Sequence, residues 1–228
     1  MAIDAGPGPG PRSRIARVPD GHPAFFSLEG VDGSGKSTQL AMLADWLRAR
    51  GREAITVREP GGTPVSDAVR RLLLDPSNTI APRAELLLFS AARAQLVEQI
   101  IAPALAGGKI VLADRFGWST LAYQGYGRGL DREDILDTFR IACDRIWPAH
   151  SFLLDLPVSA IAGRLASGGR PADRMEGAGA AFFDKVRAGY LSIAGDHPDR
   201  FTVLDASLPP GELHALIAGG IERALRAA

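Results

Sequence analysis

Eight consecutive residues near the N-terminus form a pattern that suits the phosphates of a nucleoside triphosphate. Glycines let successive backbone N–H groups converge on phosphate oxygens, a lysine reaches the β- and γ-phosphates, and a serine hydroxyl can ligate Mg²⁺. The pattern predicts that the protein binds a nucleoside triphosphate, and it leaves the second substrate open. This phosphate loop, with the residue that follows it, consists of Gly30, Val31, Asp32, Gly33, Ser34, Gly35, Lys36, Ser37 and Thr38.

Charged residues also follow two other apolar segments. Arg58 comes after a run that ends at Val57, and Asp114 and Arg115 follow a run that ends at Ala113. Asp114 is placed as a Walker-B carboxylate is, where it can lie near Mg²⁺ or hold Arg115. A single arginine is most often solvated, but two arginines that face one phosphate loop favour a second anionic ligand.

These residues need a scaffold that brings them to one place. Short apolar segments predict five strands, separated by helical patterns with apolar residues at i, i+3 and i+4. The alternation predicts an α/β fold, a doubly wound five-stranded parallel sheet with helices on both faces, as in three-layer P-loop NTPases. Ligands of such sheets bind beyond the carboxyl ends of the strands. The predicted strands are 24–28, 54–57, 109–113, 151–155 and 201–205, and the predicted helices are 36–50, 64–75, 83–105, 117–123, 131–142, 157–166, one that ends near 195 and one that begins near 210.

Composition limits the partners of the protein. The 26 Lys and Arg residues balance 26 Asp and Glu residues among 228, so the formal net charge is zero. A neutral chain lacks the positive field on which sequence-independent nucleic-acid binding and membrane-surface binding rely, so we expect neither partner. Cys143 is the single cysteine, and the four histidines lie far apart in the sequence. We therefore expect no internal disulfide and no histidine metal site, and we predict a cytoplasmic protein.

The first 23 residues differ in composition from the rest. Glycine and proline alternate from Gly6 to Pro11, and three arginines follow. Such a stretch cannot bury enough apolar surface to offset the entropy of ordering it. We predict a disordered tail over 1–23, with an organelle-targeting leader as the alternative, and one domain over 24–228.

Several short motifs follow one another along the domain. They are Phe26, Glu29 and Gly30; Arg58 to Thr63; Leu72 to Asp75; Phe89 to Arg93; Asp114 and Arg115; Ser119 to Gly125; Gly127 to Gly129; and Asp173, Arg174 and Glu176 before Phe182 and Phe183. Each motif alone is weak, but their order and spacing together are specific. From about residue 26 to the C-terminus the sequence resembles bacterial thymidylate kinase (dTMP kinase), a family of P-loop nucleoside monophosphate kinases.

The resemblance implies transfer of the γ-phosphoryl group of ATP to dTMP, which gives dTDP and ADP, with Mg²⁺ near Ser37 and Asp114. It also implies a homodimer. On the acceptor side it implies that Arg58 and Arg115 hold the phosphate of dTMP, with support from Arg70.

The resemblance also assigns the sugar and the base. Asp32 accepts a hydrogen bond from the 3′-hydroxyl, and Tyr123 packs against the deoxyribose to exclude a ribose, with Gln124 close by. Phe89 stacks on thymine, while Arg93 and Thr120 read its polar edge. The residues themselves agree with this in part, because Phe89 and Arg93 are four apart on one predicted helix and project to one spot. Without the resemblance, Phe89 would be assigned to the core.

Some members of the family carry an arginine in the phosphate loop where this sequence has Gly33. The resemblance therefore implies that a lid over about 167–177 supplies the positive charge. Arg170 and Arg174 are both candidates for this arginine finger, and Arg164 is a lesser one. The lid has an additional residue at Pro171, so the sequence leaves the choice open.

Two other functions remain open at the level of sequence. One is a kinase that acts on another nucleoside monophosphate, and the other is a non-catalytic P-loop switch that signals to a partner. The complete set of acceptor-side residues argues against the switch.

Overall fold

The computed structural model describes residues 20–160 and 173–227. Five parallel strands form one sheet in the order β2-β3-β1-β4-β5, which confirms the predicted fold class. The strands are β1 (His22–Glu29), β2 (Ala54–Arg58), β3 (Ile110–Asp114), β4 (Pro148–Asp155) and β5 (Phe201–Asp205).

Helices cover both faces of the sheet. Helices α1 and α8 pack together against one face, whereas α7 packs against β4 and β5 from the other. Covered faces explain why the central strand β1 is buried continuously from Phe25 to Glu29 instead of alternating. The helices are α1 (Lys36–Arg48), α2 (Pro64–Leu74), α3 (Pro82–Leu96), α4 (Ala102–Ala106), α5 (Gly117–Thr120), α6 (Arg132–Cys143), α7 (Ala180–Asp196) and α8 (Pro210–Ala227).

The strand register brings the predicted site residues to one edge. Leu28 of β1 lies beside Asp114 of β3, and Arg58 of β2 lies on the other side of Asp114. The phosphate loop leaves β1 one residue after Glu29. The end of β3 therefore lies between the ends of β2 and β1, so all three strands deliver side chains to the same cleft.

Two wide helical segments replace the regular helices that the sequence predicts. Val97–Ile101 is π-helical between α3 and α4, and Leu121–Gly127 is π-helical after α5. In the first, Pro103 has no N–H for the carbonyl of Gln99, so the normal i to i−4 pattern cannot continue. In the second, Arg128 donates its N–H to the carbonyl of Tyr123. The wide turns are a feature that apolar periodicity does not reveal.

Other element boundaries differ from the predictions by a few residues. The first strand begins at His22, inside the segment predicted as tail, and its backbone N–H donates to the carbonyl of Trp147. Asp114 and Arg58 are the last residues of their strands and do not follow them. Residues 1–19 of the predicted tail lie outside the described residues, as do 161–172, which hold most of the predicted lid.

Within the described ranges, no helix has the length and apolar character needed to cross a membrane.

Candidate active site

The phosphate loop adopts a conformation that only glycine allows at several points. Gly30, Gly33 and Gly35 have φ angles of 132°, 76° and 96°, which side chains rarely adopt. A Cβ atom on Gly30 would also lie 2.5 Å from the carbonyl oxygen of Leu154. The loop ends at Gly35, the N-cap of α1, so the N-terminus of a 13-residue helix faces the cleft.

Lys36 is folded back on its own loop. Its Nζ donates to the carbonyl oxygens of Gly30 and Val31, at 3.1 and 2.9 Å. Burial lowers the pKa of Lys36 to about 8, and the charge of Arg115 acts in the same direction. The negative charge of a bound phosphate would raise the pKa of Lys36 again, so phosphate binding favours the charged form of the lysine.

Ser37 and Asp114 meet at the start of α1. The Ser37 hydroxyl donates to Oδ2 of Asp114 over 3.2 Å, and both residues line the cleft. A hydroxyl and a carboxylate at this spacing can ligate one Mg²⁺, which usually takes one or two protein ligands together with substrate phosphates. The donor set therefore fits the ion that the sequence predicts.

Asp32, Arg115 and Tyr123 form a cluster between the phosphate loop and the deeper part of the cleft. Arg115 donates through Nη2 to Oδ1 of Asp32 over 2.9 Å, and its guanidinium lies 4.9 Å from the ring centroid of Tyr123. The Tyr123 hydroxyl lies 3.4 Å from Oδ2 of Asp32. Burial raises the pKa of Asp32, but Arg115 and Lys36 outweigh it and lower that pKa to about 2. The carboxylate is therefore charged at neutral pH.

Two further arginines line the same cleft. Arg58 is the more exposed, at 57% of its side chain, and its nearest acid is Asp67 at 3.8 Å. Arg70 donates to the carbonyl of Pro60 over 2.9 Å. Burial and the charge of Arg58 lower the pKa of Arg70, so this end of the cleft is electropositive.

The opposite end of the cleft is built around a buried ion pair. Arg93 is 1% exposed, and its Nε donates to Oε2 of Glu59 over 2.8 Å. Its Nη2 donates to the hydroxyl of Thr120, whereas its buried Nη1 has no hydrogen-bond partner among the residues that the structure describes. Phe89 is half-buried one turn earlier on α3 and lines the cleft, instead of lying in the core. Thr120 thus supports Arg93, a contact that the sequence did not indicate.

Glu85 joins Gln124 to two arginines at the edge of the cleft. The Glu85 carboxylate is fully buried and accepts from Gln124 over 2.8 Å and from Arg128 over 3.1 Å. Arg174 lies 2.7 Å from the same carboxylate, and its Nε donates to the carbonyl of Leu73. Of the two candidate lid arginines, Arg174 is therefore fixed to α2 and α3, and Arg170 lies outside the described residues, as does Arg164.

The sequence missed the supporting roles of Glu29, Glu59, Glu85 and Tyr190. The three glutamates are at most 5% exposed, and Glu29 and Glu85 stand inside or beside apolar runs. A carboxylate in a buried segment must be paired, and this is the signal that could have indicated them. Nothing in the pattern around Tyr190 distinguishes it from a core aromatic residue.

One cavity of about 500 Å³, within the range of small-molecule sites, is lined by residues of the phosphate loop, by Arg115 and Tyr123, and by Arg58, Arg70, Phe89 and Arg93. It extends from the phosphate loop to Phe89 and Arg93. A phosphate loop on a doubly wound sheet, facing an arginine-lined pocket with an aromatic wall, defines a P-loop phosphotransferase of the nucleoside monophosphate kinase class.

Comparison with known proteins narrows the class to one family. The thymidylate kinase family model matches residues 28–217. The thymidylate kinase of Chlorobaculum tepidum is 47% identical over 206 residues, which cover 87% of this chain and 96% of that protein. That of Trichlorobacter lovleyi is 43% identical over 203 residues, covering 86% and 96%. The crystal structure of thymidylate kinase from Ehrlichia chaffeensis matches with a TM-score of 0.70 and 33% identity, covering 87% and 97%. The chain belongs to the thymidylate kinase family.

Proposed function

We propose that the protein transfers the γ-phosphoryl group of ATP to dTMP, giving dTDP and ADP. The observation that carries the proposal is the single cleft, which joins a phosphate loop at one end to a base-sized pocket at the other, with Arg115 between them. Family membership supports the same reaction. The substrates meet where the positive groups are concentrated.

The reaction needs charge compensation more than it needs a base. A phosphate monoester has a second pKa near 6, so at pH 7 the attacking oxygen of dTMP is already largely deprotonated. This oxygen forms a bond to the γ-phosphorus while the bond to the bridging oxygen of ATP breaks, and ADP leaves with that electron pair. Two unit charges at 4 Å repel by about 4 kcal/mol at an effective dielectric of 20. Lys36, Arg58 and Arg115 oppose this repulsion.

Ser37 and Asp114 would hold Mg²⁺, given their contact at the start of α1. When bound, the ion neutralises charge on the β- and γ-phosphates. The protein itself contributes the orientation of the two ligands, because Ser37 is fixed by α1 and Asp114 by β3.

The pocket chemistry supports thymine as the base. Phe89 offers a ring face for stacking, and the unpartnered Nη1 of Arg93 is a buried donor that suits a carbonyl oxygen. A cytosine amino group would bring a donor to that donor, which a buried site rejects strongly. Tyr123 would pack on the deoxyribose, and Asp32 retains lone pairs for the 3′-hydroxyl beside its contact with Arg115.

One arginine of the predicted lid would supply positive charge to the transferring phosphate. Arg174 is a poor candidate for the finger because Glu85 and the Leu73 carbonyl hold it. We assign the finger to Arg170. The lid, the disordered tail and the cytoplasmic location remain predictions from the sequence.

A homodimer is proposed through the layer formed by α3 and α6, which pack together. Two of the most exposed large apolar side chains among the described residues lie on these helices, Ile141 at 87% and Leu87 at 61%. Exposed apolar side chains on adjoining helices fit a contact between two copies.

A panel of acceptors tests the function. The protein is given MgATP with dTMP, dUMP, UMP, CMP, AMP or GMP, and release of ADP is measured. We expect dTMP to give the highest kcat/KM. A preference for a ribonucleotide would point to another monophosphate kinase, and slow hydrolysis that is indifferent to every acceptor would point to a switch.

A further inference from the structure

The hydroxyl group of Tyr190 lies between Arg115 and the buried carboxyl group of Glu29. Nη1 of Arg115 donates to this hydroxyl over 3.1 Å, and the hydroxyl donates to Oε2 of Glu29 over 3.2 Å. Tyr190 is 1% exposed and Glu29 is fully buried, and neither side chain lines the cleft. The pair is therefore behind Arg115, on the side away from the substrates.

Glu29 also fixes the backbone next to Arg115. Its Oε1 accepts the N–H of Phe116 over 2.9 Å and the hydroxyl of Ser27 over 3.0 Å. One carboxyl group thus binds the main chain one residue after Arg115 and, through Tyr190, the end of the Arg115 side chain. The side chain is held at both of its ends.

Arg115 needs such support because its backbone conformation is unfavourable. Its φ angle is 69°, and apart from Asp144 no other non-glycine residue in the described ranges has a positive φ. Residues in this region persist only where their surroundings hold them. The backbone N–H of Arg115 donates to the carbonyl of Leu28, and Glu29 fastens the following peptide.

The other hydrogen bonds of the Arg115 guanidinium would not by themselves fix its orientation. Nη1 also donates to the carbonyl of Gly30 over 2.6 Å, and Nη2 donates to Asp32. Both acceptors belong to the phosphate loop, which itself has to receive ATP. The Tyr190 hydroxyl is also an acceptor for this guanidinium, and it belongs to α7, which is neither part of the phosphate loop nor a wall of the cleft.

We propose that Tyr190 and Glu29 are positioning residues that orient the Arg115 guanidinium toward the phosphate of the acceptor nucleotide. The proposal rests on the proposed function and on the role that the family resemblance gives to Arg115, which is to hold that phosphate. Neither side chain lines the cleft that would receive the substrates, so both act through Arg115.

The experiment compares the affinities of dTMP and thymidine, measured by calorimetry with the full chain. Thymidine lacks the phosphate, so it reports on the base and sugar pocket alone. Tyr190→Phe keeps the ring and removes only the hydroxyl. Tyr126→Phe is the matched control, because its hydroxyl bonds Ser192 of the same helix α7 but lies away from Arg115.

We expect Tyr190→Phe to weaken dTMP by about 10-fold and thymidine by less than about twofold, as for loss of a hydrogen bond to a charged group. Tyr126→Phe changes neither affinity. In turnover, the KM for dTMP rises in Tyr190→Phe while the KM for ATP is retained. Equal losses for dTMP and thymidine, or no loss, would overturn the proposal, because a packing role loosens the whole pocket.

Two further variants separate the possible failures. Arg115→Ala should reduce the preference for dTMP over thymidine at least as much as Tyr190→Phe does, although Arg58 and Arg70 remain in the cleft. If Arg115→Ala leaves the preference intact, the assignment of Arg115 to the phosphate is wrong. If Arg115→Ala reduces the preference and Tyr190→Phe leaves it intact, the positioning role alone is wrong. Glu29→Gln should show the same selective loss as Tyr190→Phe if it folds, and Tyr190→Phe decides if it does not.

Discussion

Buried charges set the chemistry of individual residues in this cleft. Lys36, Arg93 and Arg115 each donate hydrogen bonds to carbonyl or carboxylate oxygen atoms, and each still lines the cavity. Desolvation makes such groups sensitive to a new charge, since each interaction is stronger away from water. Substrate binding should therefore be accompanied by proton uptake, and variants of single cleft residues should lose affinity for one substrate and not the other.

Lys36 should take up a proton when ATP binds. Its pKa of about 8 in the free protein means that about half of the molecules lack this proton at pH 8, and bound phosphates raise the pKa. Calorimetric titration with a non-hydrolysable MgATP analogue, in buffers of different ionisation enthalpy, should show uptake approaching about half a proton at pH 8. Uptake should vanish in Lys36→Met and persist in Lys109→Met, a surface control. Binding without proton uptake in the wild type would contradict the prediction.

Phe89 should contribute to binding of dTMP and not of ATP. Stacking of a base on an aromatic ring is worth about 1–3 kcal/mol, so Phe89→Ala should raise the Kd for dTMP by about 5- to 150-fold. Leu216→Ala, at an exposed position on α8 away from the cleft and from the proposed dimer contact, is the control. Calorimetry with each nucleotide measures the effect, and a loss confined to ATP would be inconsistent with the stacking role.

At the scale of elements, carboxylates connect segments that are distant in sequence. Glu85 of α3 binds the π-helical segment through Gln124 and the C-terminal part of the predicted lid through Arg174. Glu29 of β1 likewise joins the end of β3 to α7. These contacts keep the walls of the cleft in register while the loops between them receive ligands.

Arg174 and Arg170 should give opposite phenotypes. Arg174→Ala breaks a buried ion pair, and we expect the free energy of unfolding to fall by about 3 kcal/mol, the lower end for such losses. The variant should therefore have a clearly lower Tm. Arg170→Ala should lower kcat by about 10³-fold or more, as for an arginine finger. Thermal unfolding and steady-state kinetics measure both variants. A normal Tm with a large kcat loss in Arg174→Ala would reverse the assignment.

At the scale of the whole molecule, a chain of zero net charge places its positive groups in the cleft and compensates them elsewhere. Exposed ion pairs, such as Arg48 with Asp45 and Arg140 with Asp137, cover helix surfaces. Helix α6 also exposes an apolar side chain, because Ile141 on this helix is 87% exposed. This apolar position supports the proposed homodimer.

Ile141→Glu should convert the dimer to a monomer. A buried charge that has no partner is costly at an apolar contact, so dissociation at micromolar concentration is expected. Size-exclusion chromatography with light scattering measures the mass. Leu216→Glu, which alters an exposed leucine on α8, should remain dimeric. A wild-type protein of monomeric mass would contradict the homodimer itself.

The sequence determined the fold class and the position of the phosphate loop. Five apolar segments predicted the five strands to within a few residues, since buried parallel strands are short and continuously apolar. Gly30 to Ser37 could be placed because the pattern itself carries the geometry: glycines for the turn and a helix start for the phosphates. Local chemistry of this kind needs no tertiary contact.

Only the tertiary structure decided how the charged side chains are paired. Arg174 is a candidate finger by sequence, but Glu85, 89 positions earlier, pairs with its guanidinium, which favours Arg170 for that role. The link from Arg115 through Tyr190 to Glu29 joins three elements, and no spacing in the sequence relates them. Pairing of buried charges depends on distances of about 3 Å between segments that meet only after folding, and this is why apolar periodicity predicted the scaffold and not the support of its site.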